Sequence, residues 1–451
     1  MIVVYIILLL FAFYFYAIRR RAETLFFLTA ITNSCFFFIN GDYLSVKPSD
    51  FALVFIAIIS LLNVQSKEYY KIANDPLGKI IFTILLYFSL NFIATIIFGL
   101  ENPANAFKVI RPYYALLLYF YVKNMQKQEI RRYFHLMLIA SIIQGVFYYL
   151  QMVGFEGILA GRVDEAEENG GLTRYANFPK MASFFVLYYI IRENISMRKK
   201  GFLISFFCLM LIFGQMRGAI IALSCATGLF FLLKHKTKYV WYIAVGMIVY
   251  QFIVSPMFEY RTRNSAHSTS EEITKILKDP TSVYKNYTEE GEGGTFSFRI
   301  AMLFERIYYM MENPQYAPLG VGCIHEESPQ NTWTFYLGTE NQQLLKGYSM
   351  LSSADIEWVG LLMRFGIIGV LLWFIFFYYW GSLGIPLVKK SNDAMFMASS
   401  VMVISVFLAS FDSENLTRVS AIISLMFYLA VIYEYRNRKD DSLHHKIHQS
   451  L

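Results

Sequence analysis

The stretch IEWVGLLMRFGIIGVLLWFIFFYYW occupies residues 356–380, and Glu357 and Arg364 are its only charged side chains. A run of roughly 17–25 mostly apolar residues can cross the ~30 Å hydrocarbon core of a bilayer as a helix. The tyrosine and tryptophan residues at its end are side chains that favour a membrane interface. Residues 356–380 therefore predict a transmembrane helix.

Apolar stretches of this kind make up most of the chain. Apolar residues account for 56% of the 451 residues and charged residues for 16%, whereas soluble domains carry about 25% charged residues. The pattern predicts an all-α integral membrane protein with about thirteen transmembrane helices, within a range of about twelve to fourteen. One predicted span, residues 104–122, is interrupted by Pro112.

A long polar insert interrupts these spans late in the chain. It covers residues 256–355 and separates ten predicted helices in residues 1–255 from three in residues 356–435, which a polar tail follows at 436–451. Within the insert, apolar residues of the stretch 298–311 recur at helical spacing on one face, so the sequence predicts an amphipathic helix there.

Lysine and arginine concentrate in alternate connections between the spans, for example in Arg19-Arg20-Arg21 and Arg198-Lys199-Lys200. The other connections are acidic or nearly neutral, as at Glu101. The positive-inside rule then predicts that the N-terminus and the insert lie outside and that the C-terminus is cytoplasmic. This bias accounts for the net charge of +7 and requires no nucleic-acid partner.

Several classes of function are disfavoured by what the sequence lacks. There is no Walker A pattern and no cytoplasmic loop long enough for a nucleotide-binding domain. Any reaction must therefore draw its energy from a substrate that is already activated. No internal repeat is evident in the sequence. This weakens the hypothesis of a transporter, because many transporters are built from two inverted repeats. The four cysteines form no disulfide framework.

Three arginines outside the membrane are candidates for binding an anion. Arg217 lies in a short turn between two apolar spans, Arg299 begins the amphipathic helix, and Arg174 follows an acidic run. Arginine offers a planar fork that fits phosphate oxygens, and the start of a helix also favours an anion. The alternative is that Arg217 anchors the membrane interface, that Arg299 is solvated, and that Arg174 pairs with the acidic run.

Two residues are candidates for acid–base chemistry. Asp355 closes the insert just before the next span, and His325 precedes Glu326-Glu327. A carboxylate near several arginines suits a general base, although an acidic residue at a helix start is also an ordinary cap. No second histidine lies at metal-ligand spacing from His325, so neither a metal nor any other cofactor is expected.

Four motifs together resemble the bacterial superfamily of O-antigen polymerases and O-antigen ligases. Met216-Arg217-Gly218-Ala219 is similar to the family's Ser-Arg-Gly-Ala segment, and Phe298-Arg299 before a helix is similar to its loop arginine. Pro318-Leu-Gly-Val-Gly322 resembles a Pro-Leu-x-Gly-x-Gly turn. Ser353-Ala354-Asp355-Ile356, followed by Gly366-Ile-Ile-Gly369, resembles the family's last motif span. One departure is Ser353, which stands where the family's ligases place a histidine.

The resemblance implies a GT-C-like glycosyltransferase in the bacterial inner (cytoplasmic) membrane. Its substrates would be glycans linked to undecaprenyl pyrophosphate, which it would join into O-antigen, capsule or exopolysaccharide chains. Arg217, Arg299 and Arg174 would stabilise the pyrophosphate leaving group, and Asp355 or His325 would take the acceptor proton. A chain-length regulator and a flippase would be its partners.

Two alternatives stay open from the sequence. An O-antigen ligase would transfer a finished glycan to a surface acceptor, and Ser353 argues against this reading. A polysaccharide flippase would carry out no chemistry and would not need the insert of residues 256–355.

Overall fold

The computed structural model describes residues 2–40, 46–64, 75–155, 157–161, 163–164, 173–214, 217–247, 295–326, 328–333, 335, 351, 356–411 and 413–450. Within these residues the fold is helical, apart from a two-residue antiparallel pair between Val163–Asp164 and Arg174–Tyr175.

The described residues form fourteen α-helices in chain order: α1 (Ile2–Ala17), α2 (Arg21–Thr32), α3 (Pro48–Leu62), α4 (Pro76–Ile97), α5 (Pro103–Ile110), α6 (Leu118–Val122), α7 (Lys127–Met152), α8 (Ala182–Ile191), α9 (Met197–Phe213), α10 (Arg217–Leu233), α11 (Thr295–Glu312), α12 (Glu357–Lys390), α13 (Ala394–Ala409) and α14 (Val419–Ser450). A 3₁₀ segment, Arg111–Leu117, joins α5 to α6, and residues 237–247 are also helical.

Local sequence explains where several of these helices begin. Proline is the first residue of α4, where the preceding Asp75 accepts a hydrogen bond from the Gly78 nitrogen at 2.9 Å. Helix α5 begins in the same way: proline is its first residue, and the preceding Asn102 side chain accepts a hydrogen bond from the Asn105 nitrogen at 2.9 Å. Such caps satisfy backbone donors that the first turn leaves free.

The helices fit the prediction of an all-α membrane protein. Four are long and apolar enough to cross a bilayer, namely Pro76–Ile97, Lys127–Met152, Glu357–Lys390 and the Val419–Arg438 part of α14. Five more apolar helices have 10–17 residues. The predicted span at 104–122 is a continuous run of α5, the 3₁₀ segment and α6, with Pro112 in the 3₁₀ part. The total of thirteen spans stays a prediction.

The long helices run between two ends of the bundle, which differ in charge. At one end, called here the basic end, Lys123 forms a buried ion pair with Asp75 at 3.1 Å, and Lys236 pairs with Glu193 at 3.1 Å. The other end carries the described part of the insert and is called here the insert end. The predicted amphipathic helix at 298–311 lies within α11.

A large apolar core fills the bundle between these two ends. Trp373 of α12 and Phe184 of α8 are completely buried in it. Some of its buried polar groups form hydrogen bonds between helices, as in the 2.9 Å bond between the hydroxyl groups of Thr29 and Tyr133. A second, smaller core joins Met310 of α11 to Met363 of α12, so the described insert packs directly on the bundle.

Candidate functional site

The turn Pro318–Gly322 lies against an interruption of α12 at Gly366. Gly366 has φ 64° and ψ −168°, a conformation that is essentially restricted to glycine. The two backbones touch: a Cβ on Gly366 would lie 2.6 Å from the Gly320 nitrogen, and one on Gly320 would lie 2.6 Å from the Phe365 nitrogen. Close packing of the turn and the helix therefore requires glycine at both positions.

The turn also replaces hydrogen bonds that α12 loses at its interruption. The Val321 nitrogen donates to the Met363 carbonyl at 2.8 Å, and the Ile367 nitrogen donates to the Ala317 carbonyl at 2.8 Å. Backbone groups that leave a membrane helix must find partners elsewhere in the protein, because hydrocarbon offers none. The turn is thus an integral part of the helix it contacts.

Helix α4 holds the opposite side of the turn. The Asn91 side-chain amide donates to the Leu319 carbonyl at 2.8 Å, and the Thr95 hydroxyl accepts from the Cys323 nitrogen at 2.9 Å. Next to them, the Tyr87 hydroxyl donates to a backbone carbonyl of α12 at 2.6 Å. The turn is therefore clamped between two long helices at the insert end.

A half-buried ion pair follows the turn. A guanidinium nitrogen of Arg364 lies 2.8 Å from Glu326 Oε1, with side-chain exposures of 14% and 27%. The second carboxylate oxygen of Glu326 accepts from the Leu351 nitrogen at 3.0 Å, and Arg364 Nε donates to the Ile324 carbonyl at 3.3 Å. The pair thereby ties α12 to two separate parts of the insert.

Loss of either partner of this ion pair is expected to destabilise the insert. Arg364→Met or Glu326→Gln alone should lower stability by about 2–3 kcal/mol, because a partly buried charge loses its hydrogen bonds. The double variant should lose less than the sum of the two single losses. Thermal unfolding of the purified variants measures these losses of stability. Glu312→Gln, which changes an exposed side chain of α11, is the control and should leave stability unchanged. Strictly additive losses would contradict the coupling.

His325, predicted from the sequence as a candidate base, lies directly before this ion pair. Its backbone nitrogen donates to Glu101 Oε2 at 3.2 Å, and the other oxygen of Glu101 accepts from the Asn102 nitrogen at 2.8 Å. Glu101 is buried, with 4% exposure, so this backbone contact fixes where residue 325 leaves the turn. The His325 side chain is itself half-buried.

Helix α11 carries a completely buried arginine that the sequence analysis did not single out. Arg306 forms an ion pair with Glu305, and its guanidinium carbon lies 4.0 Å from the centre of the Phe335 ring. Nearby, Trp333 Nε1 donates to the Tyr309 hydroxyl at 2.7 Å. Trp333 and Phe335 therefore cover this part of α11, and burial of the charge is offset by a carboxylate and an aromatic face.

The predicted residue Arg299 lies on the same helix, seven residues before Arg306, and is half-buried. Seven residues make nearly two full turns, so both arginines lie on one face of α11. The spacing of the two arginines indicates a shared helix face, but it carries no signal that Arg306 is buried.

The first turn of α12 contains a buried carboxylate, Glu357, with 2% exposure. Its Oε2 accepts from the Leu416 nitrogen at 3.0 Å and from the Thr417 hydroxyl at 3.2 Å. These bonds tie the connection between α13 and α14 to the start of α12. Asp355, two residues earlier, lies outside the described residues, as does Ser353.

Further cations lie at the insert end. Lys180 and Arg418 are close enough for their charges to repel each other, and the Lys180 ammonium lies 5.5 Å from the centre of the Phe37 ring. Arg418 follows Thr417, the residue that bonds Glu357. The proximity of Lys180 to Arg418 therefore brings the segment before α8 close to the segment that bonds the start of α12.

For Arg217 and Arg174 the structure describes the backbone. Arg217 is the first residue of α10, and Arg174 belongs to the two-residue strand pair. The segment after Arg174 packs on the end of α9, three residues before Arg217, because a Cβ on Gly214 would lie 2.6 Å from the Phe178 ring. The segments of both arginines thus adjoin the Lys180 side of the insert end.

Residues 201–374 match the family model described as O-antigen ligase. This segment belongs to the O-antigen ligase and polymerase superfamily. The match confirms the family that the four motifs predicted. It contains Arg217, Arg299, His325 and Asp355, and it includes the turn and the interruption of α12. Arg174 lies outside the matched residues. No curated protein matches the chain.

The predicted residues that the structure describes fall into two groups. Arg299 and His325 lie on the insert, against α12, whereas the segments of Arg174 and Arg217 lie on the side of Lys180 and Arg418. The contact between Thr417 and Glu357 connects the two sides. Glycosyltransferase-like enzymes of this superfamily act on lipid-linked glycans.

Proposed function

We propose that the chain is a polymerase that joins oligosaccharide repeat units linked to undecaprenyl pyrophosphate. The products would be O-antigen, capsule or exopolysaccharide chains. The reaction would take place at the outer face of a bacterial inner membrane, where the positive-inside rule puts the insert, with the N-terminus outside and the C-terminus in the cytoplasm.

The main support is the interruption of α12 by the turn Pro318–Gly322, inside the segment that matches the family. Membrane proteins tolerate irregular backbone at membrane depth where it is buried in protein or lines a cavity. Interrupted helices accordingly often border substrate sites. In this chain Arg364, two residues before the interruption, pairs with Glu326, the residue after His325. Helix α11, which carries Arg299, packs on α12.

The proposed chemistry is a direct displacement at the anomeric carbon of the donor sugar. An acceptor hydroxyl gives its proton to a base, for which Asp355 is the first candidate and His325 the second, and its oxygen attacks the anomeric carbon. The bond from that carbon to the pyrophosphate oxygen breaks, and its electron pair leaves on the pyrophosphate. Attack from the face opposite the leaving group inverts the anomeric centre.

The leaving pyrophosphate needs positive charge that is already in place. Arg217, Arg299 and Arg174 would supply it, because guanidinium groups bind phosphate oxygens through two parallel hydrogen bonds. Fixed charges of this kind stabilise a developing anion without reorganisation during the reaction. We therefore propose a metal-independent reaction of the GT-C type.

Transfer of a finished glycan by a ligase is the second candidate, because the matching family model bears the description O-antigen ligase. Ser353 favours the polymerase, since the ligases that this chain resembles place a histidine there. A flippase is the candidate from another class; it carries out no chemistry and would not need the insert of residues 256–355.

Deletion of the gene separates these functions. For a polymerase, we expect a gel of surface glycans to lose its ladder of long chains and to keep single repeat units attached to the cell. A ligase deletion would strand long chains on the carrier lipid, and a flippase deletion would give neither species. Return of the ladder with a plasmid-borne wild-type copy is the control. A ladder that survives deletion would contradict the proposal.

A further inference from the structure

A large cavity lies at the basic end of the bundle, away from the turn and the insert. It has a volume of about 980 Å³ and is bounded by α7, α8, α10, α13, α14 and the connection between α8 and α9. Small-molecule sites have volumes of roughly 300–1,000 Å³, so this space is large enough for a lipid headgroup and part of its chains.

Four cations on the wall of this cavity are already engaged within the protein. Lys200 donates to the carbonyls of Ile190 and Arg192 at 3.0 Å each, and Lys234 bonds backbone carbonyls at the end of α12. The other two cations form ion pairs. The Lys236 ammonium lies 3.1 Å from a carboxylate in the connection between α8 and α9, and the Arg438 guanidinium lies 2.6 Å from a carboxylate on α14. These bonds hold the wall together.

Three more cations on the wall, Lys127, Arg131 and Arg192, have no carboxylate within ion-pair distance in the described part of the chain. Lys127 and Arg131 are four residues apart on α7 and thus lie on the same face, where like charges repel. The Arg192 guanidinium lies 5.6 Å from the centre of the Tyr188 ring. The wall therefore carries positive charge that the described residues do not neutralise.

The positive potential also acts on a neighbouring lysine. Desolvation lowers the pKa of Lys234, and the charge of Lys236 lowers it further. The second effect is a repulsion between like charges, which an anion bound among these groups would relieve.

The cavity wall is apolar behind its cations. Phe134, Phe230, Phe231, Phe396 and Val431 line it and are themselves largely buried in the bundle. A small inorganic anion gains nothing from such a wall, because it has no apolar surface to bury. A phospholipid has both an anionic headgroup for the cations and acyl chains for the aromatic residues.

We propose that this cavity binds an anionic phospholipid, with its phosphate among Lys127, Arg131 and Arg192 and its chains along the aromatic wall. Basic pockets between membrane helices on the cytoplasmic side are suited to anionic headgroups. The positive-inside rule assigns the basic end to that side. The proposal is independent of the proposed polymerase activity, because the cavity lies at the other end of the bundle.

Native mass spectrometry of the full chain, purified in detergent, tests the proposal with added phosphatidylglycerol or phosphatidylcholine. The wild type should retain phosphatidylglycerol preferentially. Each arginine removed should weaken its binding about fivefold, so Arg131→Gln with Arg192→Gln should weaken it about 25-fold. The matched control, Arg198→Gln with Lys199→Gln, changes two exposed cations in the first turn of α9 that do not line the cavity and should bind as the wild type does.

Three results would overturn the proposal. They are equal retention of the two lipids, unchanged binding by the double variant, and displacement of the lipid by millimolar inorganic phosphate, which would indicate a site for a soluble anion. The single variant Arg131→Gln removes an exposed side chain and guards against misfolding of the double variant. It should weaken binding about fivefold without changing the melting temperature measured in phosphatidylcholine.

Discussion

Replacement of Gly366 with alanine is expected to abolish the folded insert and, with it, activity. The backbone at Gly366 has φ 64°, where an alanine side chain is strained by about 1–3 kcal/mol. The added methyl group would also overlap the turn, at 2.6 Å from the Gly320 nitrogen. Overpacking of this kind costs about 1–3 kcal/mol more. Because the overlapping atoms are backbone on both sides, neither can rotate away.

Gly381→Ala is the matched control, since Gly381 lies in the same helix. A Cβ there would meet only the tip of Ile385, at the ordinary distance of 3.7 Å. We expect the Gly381 variant to be as stable as the wild type in thermal unfolding and to restore the glycan ladder in a deletion strain. The Gly366 variant should fail in both assays. A fully active Gly366→Ala protein would show that the turn and α12 do not depend on each other.

The same interruption shows where sequence reasoning about this fold reached its limit. Apolar runs predicted the long helices because bilayer thickness fixes their length, and residues 356–380 were correctly predicted as helical. The break at Gly366 was not predicted, because nothing near it in the sequence differs from a glycine tolerated inside an apolar helix. The conformation of Gly366 is imposed by its contact with the turn Pro318–Gly322, which lies more than forty residues earlier in the chain.

The candidate site was predictable to a different degree for each residue. The four family motifs identified Arg217, Arg299 and Asp355 as candidates, and the match to residues 201–374 confirms the family but not their roles. The ion pair of Arg364 could not be predicted from the sequence, because its partner, Glu326, lies in the insert and pairing across such a separation leaves no local pattern.

Arg306 and Glu357 were missed for a related reason. Charged side chains are rarely buried without partners, and from the sequence alone each appeared to be an ordinary residue of a helix. Phe335 covers Arg306, and Leu416 donates to Glu357; both partners come from separate segments. Burial of a charge is decided by such tertiary contacts, so helical periodicity alone could not reveal it.

Arg217→Lys and Arg299→Lys are each expected to lower the rate of polymer formation by about 100-fold. If these arginines hold the leaving pyrophosphate, each contributes a planar pair of donors that a lysine ammonium cannot reproduce, although the charge is kept. Removal of one preorganised donor from a developing anion typically costs about 10²–10³ in rate. The chain length of surface glycans, and the rate of elongation by purified protein on a lipid-linked repeat unit, measure the effect.

Arg198→Lys is the control for this pair, because Arg198 is exposed at the basic end and should elongate glycans at the wild-type rate. The thermal stability of both test variants should also match the wild type, since lysine keeps the charge and most of the side-chain length. Loss of rate without loss of stability would favour direct contact with the pyrophosphate. A normal rate in Arg217→Lys would instead indicate that this residue anchors the membrane interface, where a lysine serves equally well. A normal rate in Arg299→Lys would indicate that Arg299 is only a charge in the second turn of α11. The fixed positive charge of the reaction would then have to come from Arg174, Lys180 and Arg418.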